Sequence, residues 1–323
     1  MYDVLVVGSG IASFSAAMFA AKKKVMVQVI ADAIGGQAAR QWDMYSYPGY
    51  LGKDGDPRTK RAEQSSYDGA QLVQNIRKQA EELGVAVAEA EGGIQKISFR
   101  QEHNHEIFIL EDAGGNVYEG NTVIIASGKK PRKLGVPGED EFIGKGVSYG
   151  MEESAQAFEG KSVAVVGAGN AGLDVALALS KYAKKLSIVE VGDRAGGDKS
   201  TQEKLAQSKN VVYILNAAVQ KIIGNEWVGG VEYISKTTGE TNQLEVDQVF
   251  VTTGMNPNSD FLRGFCEVNQ SGEVVINPRT NATSHVGVFA AGDVTDIPEK
   301  EAIIAAGEGA KAALQCVKWL VDR

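Results

Sequence analysis

The chain has 323 residues, 43% of them hydrophobic, and a net charge of −8 at pH 7, so two domains are expected and nucleic acid or an anionic membrane surface is disfavoured as a partner. No apolar run approaches the roughly 20 residues of a membrane span. Two distant cysteines, Cys266 and Cys316, resemble no metal or redox spacing and read as small core hydrophobes, as suits a reducing cytoplasm.

The chain enters a strand at once. Asp3-Val4-Leu5-Val6-Val7 is a short apolar run of the kind buried in a parallel sheet, and no leader is expected before it. Gly8-Ser9-Gly10-Ile11-Ala12-Ser13 follows with the spacing of a phosphate loop, Ser13 standing at the third glycine. The first glycine allows a tight strand-to-helix turn, the second lets a pyrophosphate approach bare backbone, and the third small residue packs helix on strand. The helix N-terminus adds free N–H groups and a partial positive charge. Ala16, Ala17, Ala20 and Ala21 continue the helix, Val25 to Ile30 forms the next strand, and Asp32 lies beyond its end.

Leu51 to Tyr67 is rich in glycine and charge and reads as a loop. It is either merely solvated, or a lid or docking surface. In the second case Arg58, Lys60 and Arg61, with a further cluster at Lys129, Lys130, Arg132 and Lys133, would steer an acidic electron-carrier protein. An alternating hairpin, Ile94 to Phe99 and Glu106 to Leu110, turns through Asp112 to Asn116 and closes on Val123 to Gly128. His103 and His105 have no third ligand in sight, so a solvated turn is expected and no metal site; His285 reads as a loop residue.

The pattern then repeats. Ser162 to Val166 is a buried strand, and Gly167, Gly169 and Gly172 stand at G-x-G-x-x-G spacing with Asn170 between them. A helix from about Ala171 to Tyr182 and a strand from Leu186 to Val189 lead to Glu190. Glu190 can accept hydrogen bonds from both hydroxyls of an adenosine ribose. A carboxylate about 4 Å from a ribose phosphate would cost about 4 kcal/mol at an effective dielectric near 20, which favours NADH over NADPH. Arg194, able to turn towards a phosphate, keeps NADPH open. Glu226 to Ile234, a Thr238-Gly239 turn and Val249 to Gly254 supply a second meander and closing strand. Pro131 and Pro257 lie just past the two closing strands, where a hinge would fall.

The expected fold is α/β, with two Rossmann-like domains, residues 130–255 inserted into a domain made of 1–129 and 256–323. Two dinucleotide sites in one chain suggest a flavin nucleotide and a nicotinamide nucleotide, between which hydride passes. A glycine-rich turn that holds nothing is the alternative for either loop.

Gly35-Gly36-Gln37, Tyr47-Pro48-Gly49, Ser127-Gly128, Val136-Pro137-Gly138, Lys145-Gly146-Val147-Ser148-Tyr149 and Gly287 to Asp293 occur in that order. With them nearly the whole chain resembles the low-molecular-weight thioredoxin reductase class, and within it the reductase portion of the alkyl hydroperoxide reductase flavoprotein. The resemblance implies FAD in the split domain and a pyridine nucleotide in the inserted one, each domain being a three-layer ββα sandwich with a β-meander. It also implies a homodimer and a swivel between domains. Gly8, Gly10 and Ser13 would line the FAD pyrophosphate, with Asp32 near the adenosine ribose. Gly35, Gly36, Gln37, Ser127 and Gly128 would pass close to the flavin, and Gly292 and Asp293 would hold the ribityl–pyrophosphate stretch. A last helix starting near Lys300 would aim its N-terminus at the flavin, kept close by Gly307 and Gly309.

Departures from the family pattern bear on function. Its Gly-Val-Ser-Tyr is followed by Cys-x-x-Cys-Asp, whereas here Gly150 and Glu153 stand at the dithiol positions and Ser154 at the acid. Thiol–disulfide exchange needs an attacking thiolate and a resolving thiol, so the dithiol route is ruled out unless a partner supplies the sulfurs. The His-Arg-Arg cluster of NADPH users is replaced by Glu190 to Arg194. Glu301 replaces a Gln facing the flavin; it is either a first-turn acid complementing the helix dipole or a tuner of the flavin. The expected function is an FAD-dependent NADH oxidoreductase that reduces an external acceptor directly. The alternatives are a disulfide reductase working on a partner's thiols and a flavin-binding regulator without turnover.

Overall fold

The computed structural model of the chain describes residues 1–41, 44, 46–50, 68–103 and 105–323. The expected loop from Leu51 to Tyr67, with Arg58, Lys60 and Arg61, lies outside the described residues. In chain order the elements begin with β1 (Tyr2–Val7), α1 (Ile11–Ala21), β2 (Val27–Ala31), α2 (Gly69–Glu82), β3 (Ala86–Glu89), β4 (Ile94–Glu102), β5 (His105–Asp112), β6 (Val117–Ile125) and β7 (Lys129–Pro131). There follow β8 (Val147–Ser148), β9 (Ser162–Val166), α3 (Asn170–Leu179), β10 (Lys185–Val189), α4 (Lys199–Ala206) and β11 (Val211–Ile214). The rest are β12 (Ala217–Gly224), β13 (Val228–Ser235), β14 (Thr241–Glu245), β15 (Gln248–Val251), β16 (Met255–Pro257), β17 (Val288–Ala290) and α5 (Ala302–Asp322).

Two compact units result. One comprises the described residues of 1–130 together with 256–323, the other residues 131–255. In the first, a parallel sheet runs β3-β2-β1-β6, with β17 on the far half of β6. Strand alternation sends Val4 and Val6 to one face and Leu5 and Val7 to the other, all buried. The first face is covered by the helices, through Ala16, Ala17, Leu72, Ala312 and Ala313. The second is covered by the meander, through Ile94, Ile97, Phe108 and Leu110. Strand β6 serves both layers, since its start pairs antiparallel with β5 and Val123 to Ile125 pair parallel with β17. The turn at Asp112 to Asn116 therefore joins β5 to β6, while the β4–β5 hairpin turns after His103, which is left-handed.

The second unit repeats this plan on a parallel sheet ordered β11-β10-β9-β15-β8. Val163, Val165, Leu186 and Ile188 pack against Leu173, Ala176 and Leu179 of α3 and Leu205 of α4. Ala164, Val166, Val249 and Val251 pack against Ile222, Val231 and Leu244 of the meander β12-β13-β14. Both units are thus three-layer ββα sandwiches. Of this meander only β13 stood out in the sequence, because β12 and β14 mix buried with exposed positions and carry no long apolar run. Helix α3 ends at Leu179, earlier than Tyr182, because the chain there turns back to start β10.

One expectation about the last helix needs correction. Glu301 is not in its first turn but at its N-cap, where its exposed carboxylate makes no capping bond. Gly309 keeps α5 close to α1, since a Cβ there would lie 2.2 Å from the Ala12 carbonyl oxygen. At Gly307 nothing lies within 4 Å of that position. Gly309→Ala is therefore expected to wedge the two helices apart and lower the unfolding free energy by about 1–3 kcal/mol, read as a lower urea midpoint. Gly307→Ala is expected to be neutral or to stabilise by up to about 1 kcal/mol, the helix-propensity difference.

Candidate functional site

The first cradle is built where β1 runs into α1. Gly8 has φ +127°, and a Cβ there would stand 2.1 Å from the Ala126 carbonyl oxygen, so only glycine fits beside the end of β6. At Gly10, the N-cap of α1, nothing lies within 4 Å of the missing Cβ, and no side chain among the described residues caps the helix. The first N–H groups of α1 are left for an anion, on open ground that a side chain would fill. The Ser13 hydroxyl donates to the Gly8 carbonyl at 2.7 Å.

Other elements converge on this turn. Gly35 N–H donates to the Ser9 carbonyl, and Gly36 lies against Gly10. The Gln37 side-chain amide donates to the Lys129 carbonyl at 2.9 Å. Asp32 accepts from Gly92 N–H at 3.0 Å. Ser127 and Gly128 are tied to Asn258, whose side chain donates to the Ser127 carbonyl and whose N–H donates to that of Gly128. Gly292 sits against the first turn of α1, where a Cβ would lie 2.9 Å from that of Ala12. Asp293 follows it, its carboxyl raised by burial against the lowering charges of Lys300 and Lys129.

Two carboxylates, one buried and one half-buried, escaped the sequence reading. Glu308 of α5 is 6% exposed and accepts from Gly292 N–H at 2.8 Å, fixing the turn that presents Asp293. Its signal was a lone acid among Ala305, Ala306, Gly307 and Gly309. Glu273 accepts from Lys129 Nζ at 2.7 Å and Asn269 Nδ2 at 2.9 Å, with Lys300 Nζ at 3.4 Å. Burial alone would raise this carboxyl, but the bonds from Lys129 and Asn269 and the two ammonium charges outweigh it and pull it down to about 2.

The second cradle solves the same problem differently. Gly167 has φ +108° and its missing Cβ would lie 2.7 Å from the Thr252 carbonyl oxygen. Gly169 caps α3 with backbone alone and has nothing within 4 Å of its missing Cβ. At Gly172 a Cβ would meet the Gly167 carbonyl at 2.0 Å, and the Thr252 hydroxyl instead reaches that carbonyl at 3.1 Å, its proton shared with the Val166 carbonyl at 3.0 Å. Glu190 Oε2 accepts from Ala168 N–H at 2.7 Å and Oε1 from Gly192 N–H at 2.9 Å. The carboxylate is thus clamped at the end of β10 with lone pairs to spare. Asn170 Oδ1 accepts from Asp198 N–H at 2.9 Å, and Arg194 is exposed.

The sequence pattern of the pyridine nucleotide-disulphide oxidoreductases matches residues 2–310. The chain belongs to that family. Over 322 residues it is 35% identical to an alkyl hydroperoxide reductase subunit of Escherichia coli (strain K12), covering 99% of this chain and 58% of that protein. Over 320 residues it is 33% identical to an NADH dehydrogenase of Bacillus subtilis (strain 168), covering 99% and 59%. The chain thus spans about three-fifths of the length of these curated relatives. Among solved structures, thioredoxin reductase of T. acidophilum superposes with a TM-score of 0.79 at 31% identity over 99% of both chains. That of Lactococcus lactis in its FR conformation gives 0.81 at 26% identity over the full length of both.

For a pyridine nucleotide-disulphide oxidoreductase, the sulfur inventory is unusual. Gly150 is half-buried, Glu153 exposed, and Ser154 begins a short 3₁₀ turn. Cys316 is fully buried, with its thiol donating to the Thr122 hydroxyl and pushed up to about 12 by burial. Cys266 lies 3.5 Å from the Thr283 hydroxyl and is likewise raised by burial. Neither is a reactive thiolate at neutral pH.

The expected basic cluster is only partly a surface. Lys129 is committed to Glu273, and Lys133 to Asp140 at 2.6 Å, leaving Lys130 exposed. Their acids are distant in sequence or across a turn, which a linear count of cations misses. His285 does sit in a loop, but it stacks on Phe265 with ring centroids 4.3 Å apart and bonds Glu106 at 3.0 Å. Among the described residues no group of three His, Cys, Asp or Glu could hold a metal, and no helix is long and apolar enough to cross a membrane.

The lowered Glu273 carboxyl has a consequence for acid stability. The unfolded chain binds more protons than the folded one between about pH 4.5 and about pH 2, so stability falls as pH drops through that window. Glu273→Gln is expected to flatten that limb and to lower stability at pH 7, as followed by urea midpoints across the range.

Proposed function

We propose that this protein is an FAD-dependent NADH oxidoreductase that passes electrons from flavin to an external acceptor without a disulfide of its own. The observation that carries this reading is the pair of uncapped glycine cradles, each open where a phosphate would lie, in a chain whose only sulfurs from cysteine are sealed in the core. The residues fit the two nucleotides. Gly8, Gly10, Ser13 and the N-terminus of α1 would hold the FAD pyrophosphate, with Asp32 at the ribose and Gly292 and Asp293 on the ribityl stretch. Gly35, Gly36, Gln37, Ser127 and Gly128 would flank the flavin. Bound FAD supplies two-electron chemistry that no amino-acid side chain here offers.

In the second cradle Gly167, Gly169, Asn170 and Gly172 would receive the nicotinamide dinucleotide. Glu190 decides between NADH and NADPH. Its clamp to Ala168 and Gly192 prevents it from swinging away, so a ribose phosphate would meet a fixed negative charge, at a cost of about 4 kcal/mol at 4 Å. The name NADH dehydrogenase, carried by a relative at 33% identity, is consistent with this choice. A homodimer and a swivel of the domains belong to the same proposal. A second reading draws on the relatives' greater length: thiols from outside this chain would take the electrons, making it the reductase half of a disulfide system. Lys130, together with Arg58, Lys60 and Arg61 of the sequence, would offer cations to an acidic carrier protein.

Each cradle has its own test. Gly10→Ala puts a methyl group into the first cradle without a backbone clash; it is expected to leave the urea midpoint unchanged and weaken FAD binding by roughly tenfold or more, a loss of about 1.4 kcal/mol. Gly169→Ala should keep the flavin and raise the KM for NADH by a similar factor. If instead Gly10→Ala raises the NADH KM and leaves FAD in place, the two assignments are reversed.

Anaerobic NADH is expected to bleach the flavin faster than NADPH does, and to do so unchanged in a Cys266→Ser, Cys316→Ser double variant. Equal bleaching by the two nucleotides would remove the role given to Glu190, and no bleaching by either would leave only a flavin-binding protein.

A further inference from the structure

Three segments of the first unit are joined by one half-buried ion cluster. Lys129 stands where the chain leaves the sheet after β6, Glu273 follows the turn at Asn269, and Lys300 precedes α5. Glu273 receives Lys129 at 2.7 Å and Lys300 at 3.4 Å, and the three side chains are only 14%, 17% and 24% exposed for Lys129, Glu273 and Lys300. The cluster carries two positive charges and one negative. Lys300 also donates to the Thr295 carbonyl at 2.6 Å, which fixes it beside the Gly292–Val294 turn. The Gln37 amide holds the Lys129 carbonyl. Both ammonium groups act on the carboxylate of Asp293. Through Lys129 and Lys300 the cluster thus touches segments that the proposed FAD site uses.

We propose that the Lys129–Glu273–Lys300 cluster tunes the reduction potential of the flavin, its two ammonium groups favouring the negatively charged reduced cofactor and its carboxylate opposing them. This rests on the assignment of FAD to the first cradle. An exposed cation would be screened within about 8 Å at physiological salt; a shielded one acts on its surroundings more strongly. Oxidised FAD that accepts hydride becomes an anion, so a fixed positive charge nearby favours the reduced state and raises the potential. Glu273 works against this effect while holding both lysines in place. Lys129 and Lys300 are accordingly charge-positioned tuning residues rather than groups that exchange protons or electrons, and Lys129 is not a docking cation.

The charge logic gives opposite signs for two substitutions that break the same bond. Potentials are measured on the purified FAD-bound protein by equilibration with reference dyes, alongside FAD affinity and the urea midpoint. Lys129→Gln should lower the preference for reduced over oxidised FAD by about tenfold, which for a two-electron couple is about 30 mV. Lys300→Gln should move it in the same direction, Glu273→Gln should raise it by a similar factor, and Lys129→Arg should leave it within twofold of the parent. If Lys129→Gln and Glu273→Gln shift the potential in the same direction, or if neither moves it twofold, the cluster is a structural tie and the proposal fails. Lys300→Gln and Lys129→Arg decide the sign if either of the first two does not fold. A parent protein that takes up no FAD would defeat the assignment of the first cradle, a result distinct from FAD-bound variants whose potentials do not move.

Discussion

Helices α1 and α3 both begin on backbone N–H groups that no side chain among the described residues caps. A helix N-terminus leaves such donors with a partial positive charge, and ordinary chains cover them with Ser, Thr, Asp or Asn. Here glycine stands at both caps, and the space above each glycine is open. The rest of each unit is arranged around keeping that turn bare and rigid. Gly8 and Gly167 bend under the carbonyls that end β6 and β15, while the layers on both faces of each sheet hold the strands in place.

The two cradles show how one constraint admits two solutions. The carbonyl of the first glycine must find a donor, because the turn removes it from the ladder of the sheet. In the first unit the donor is Ser13 on the helix, with Ala126 on the strand opposite. In the second, Thr252 on the strand supplies the hydroxyl and the helix carries Gly172, too close for any side chain. A hydroxyl has moved across the same gap. The acids that follow each second strand also do double duty. Glu190 is clamped by two N–H groups of its own unit, and Asp32 by Gly92.

The proposed electron transfer without sulfur would make the surroundings of the first cradle more important than they would be in a dithiol enzyme. With both thiols buried and their titration raised, nothing in the chain can relay electrons onward through a mixed disulfide. In the proposed reaction, control would then fall to charge. Asp293, Glu308, Glu273, Lys129 and Lys300 form a compact group of alternating sign around the turn after β17, mostly shielded from solvent. Glu273 is ion-paired and Glu308 accepts a backbone N–H, while Asp293 is offset by the charges of Lys300 and Lys129.

Much of this was legible in the linear chain. Spacings of a few residues determined both glycine turns, because a strand, a glycine turn and a helix start are local. Apolar runs such as Val163 to Val166 declared buried parallel strands, and the absent dithiol was visible at Gly150 and Glu153. Helix ends and the edge strands β12 and β14 were not, since amphipathic edges lack a continuous signal. What only the tertiary structure decided were the partners across long loops: Glu273 with Lys129 and Lys300, Glu308 with Gly292, His285 with Glu106 and Phe265, and the hydroxyl of Thr252 standing in for that of Ser13. Such pairs depend on how sheets and helices stack, and no pattern of neighbouring residues encodes the distance between segments that meet only once the core has closed.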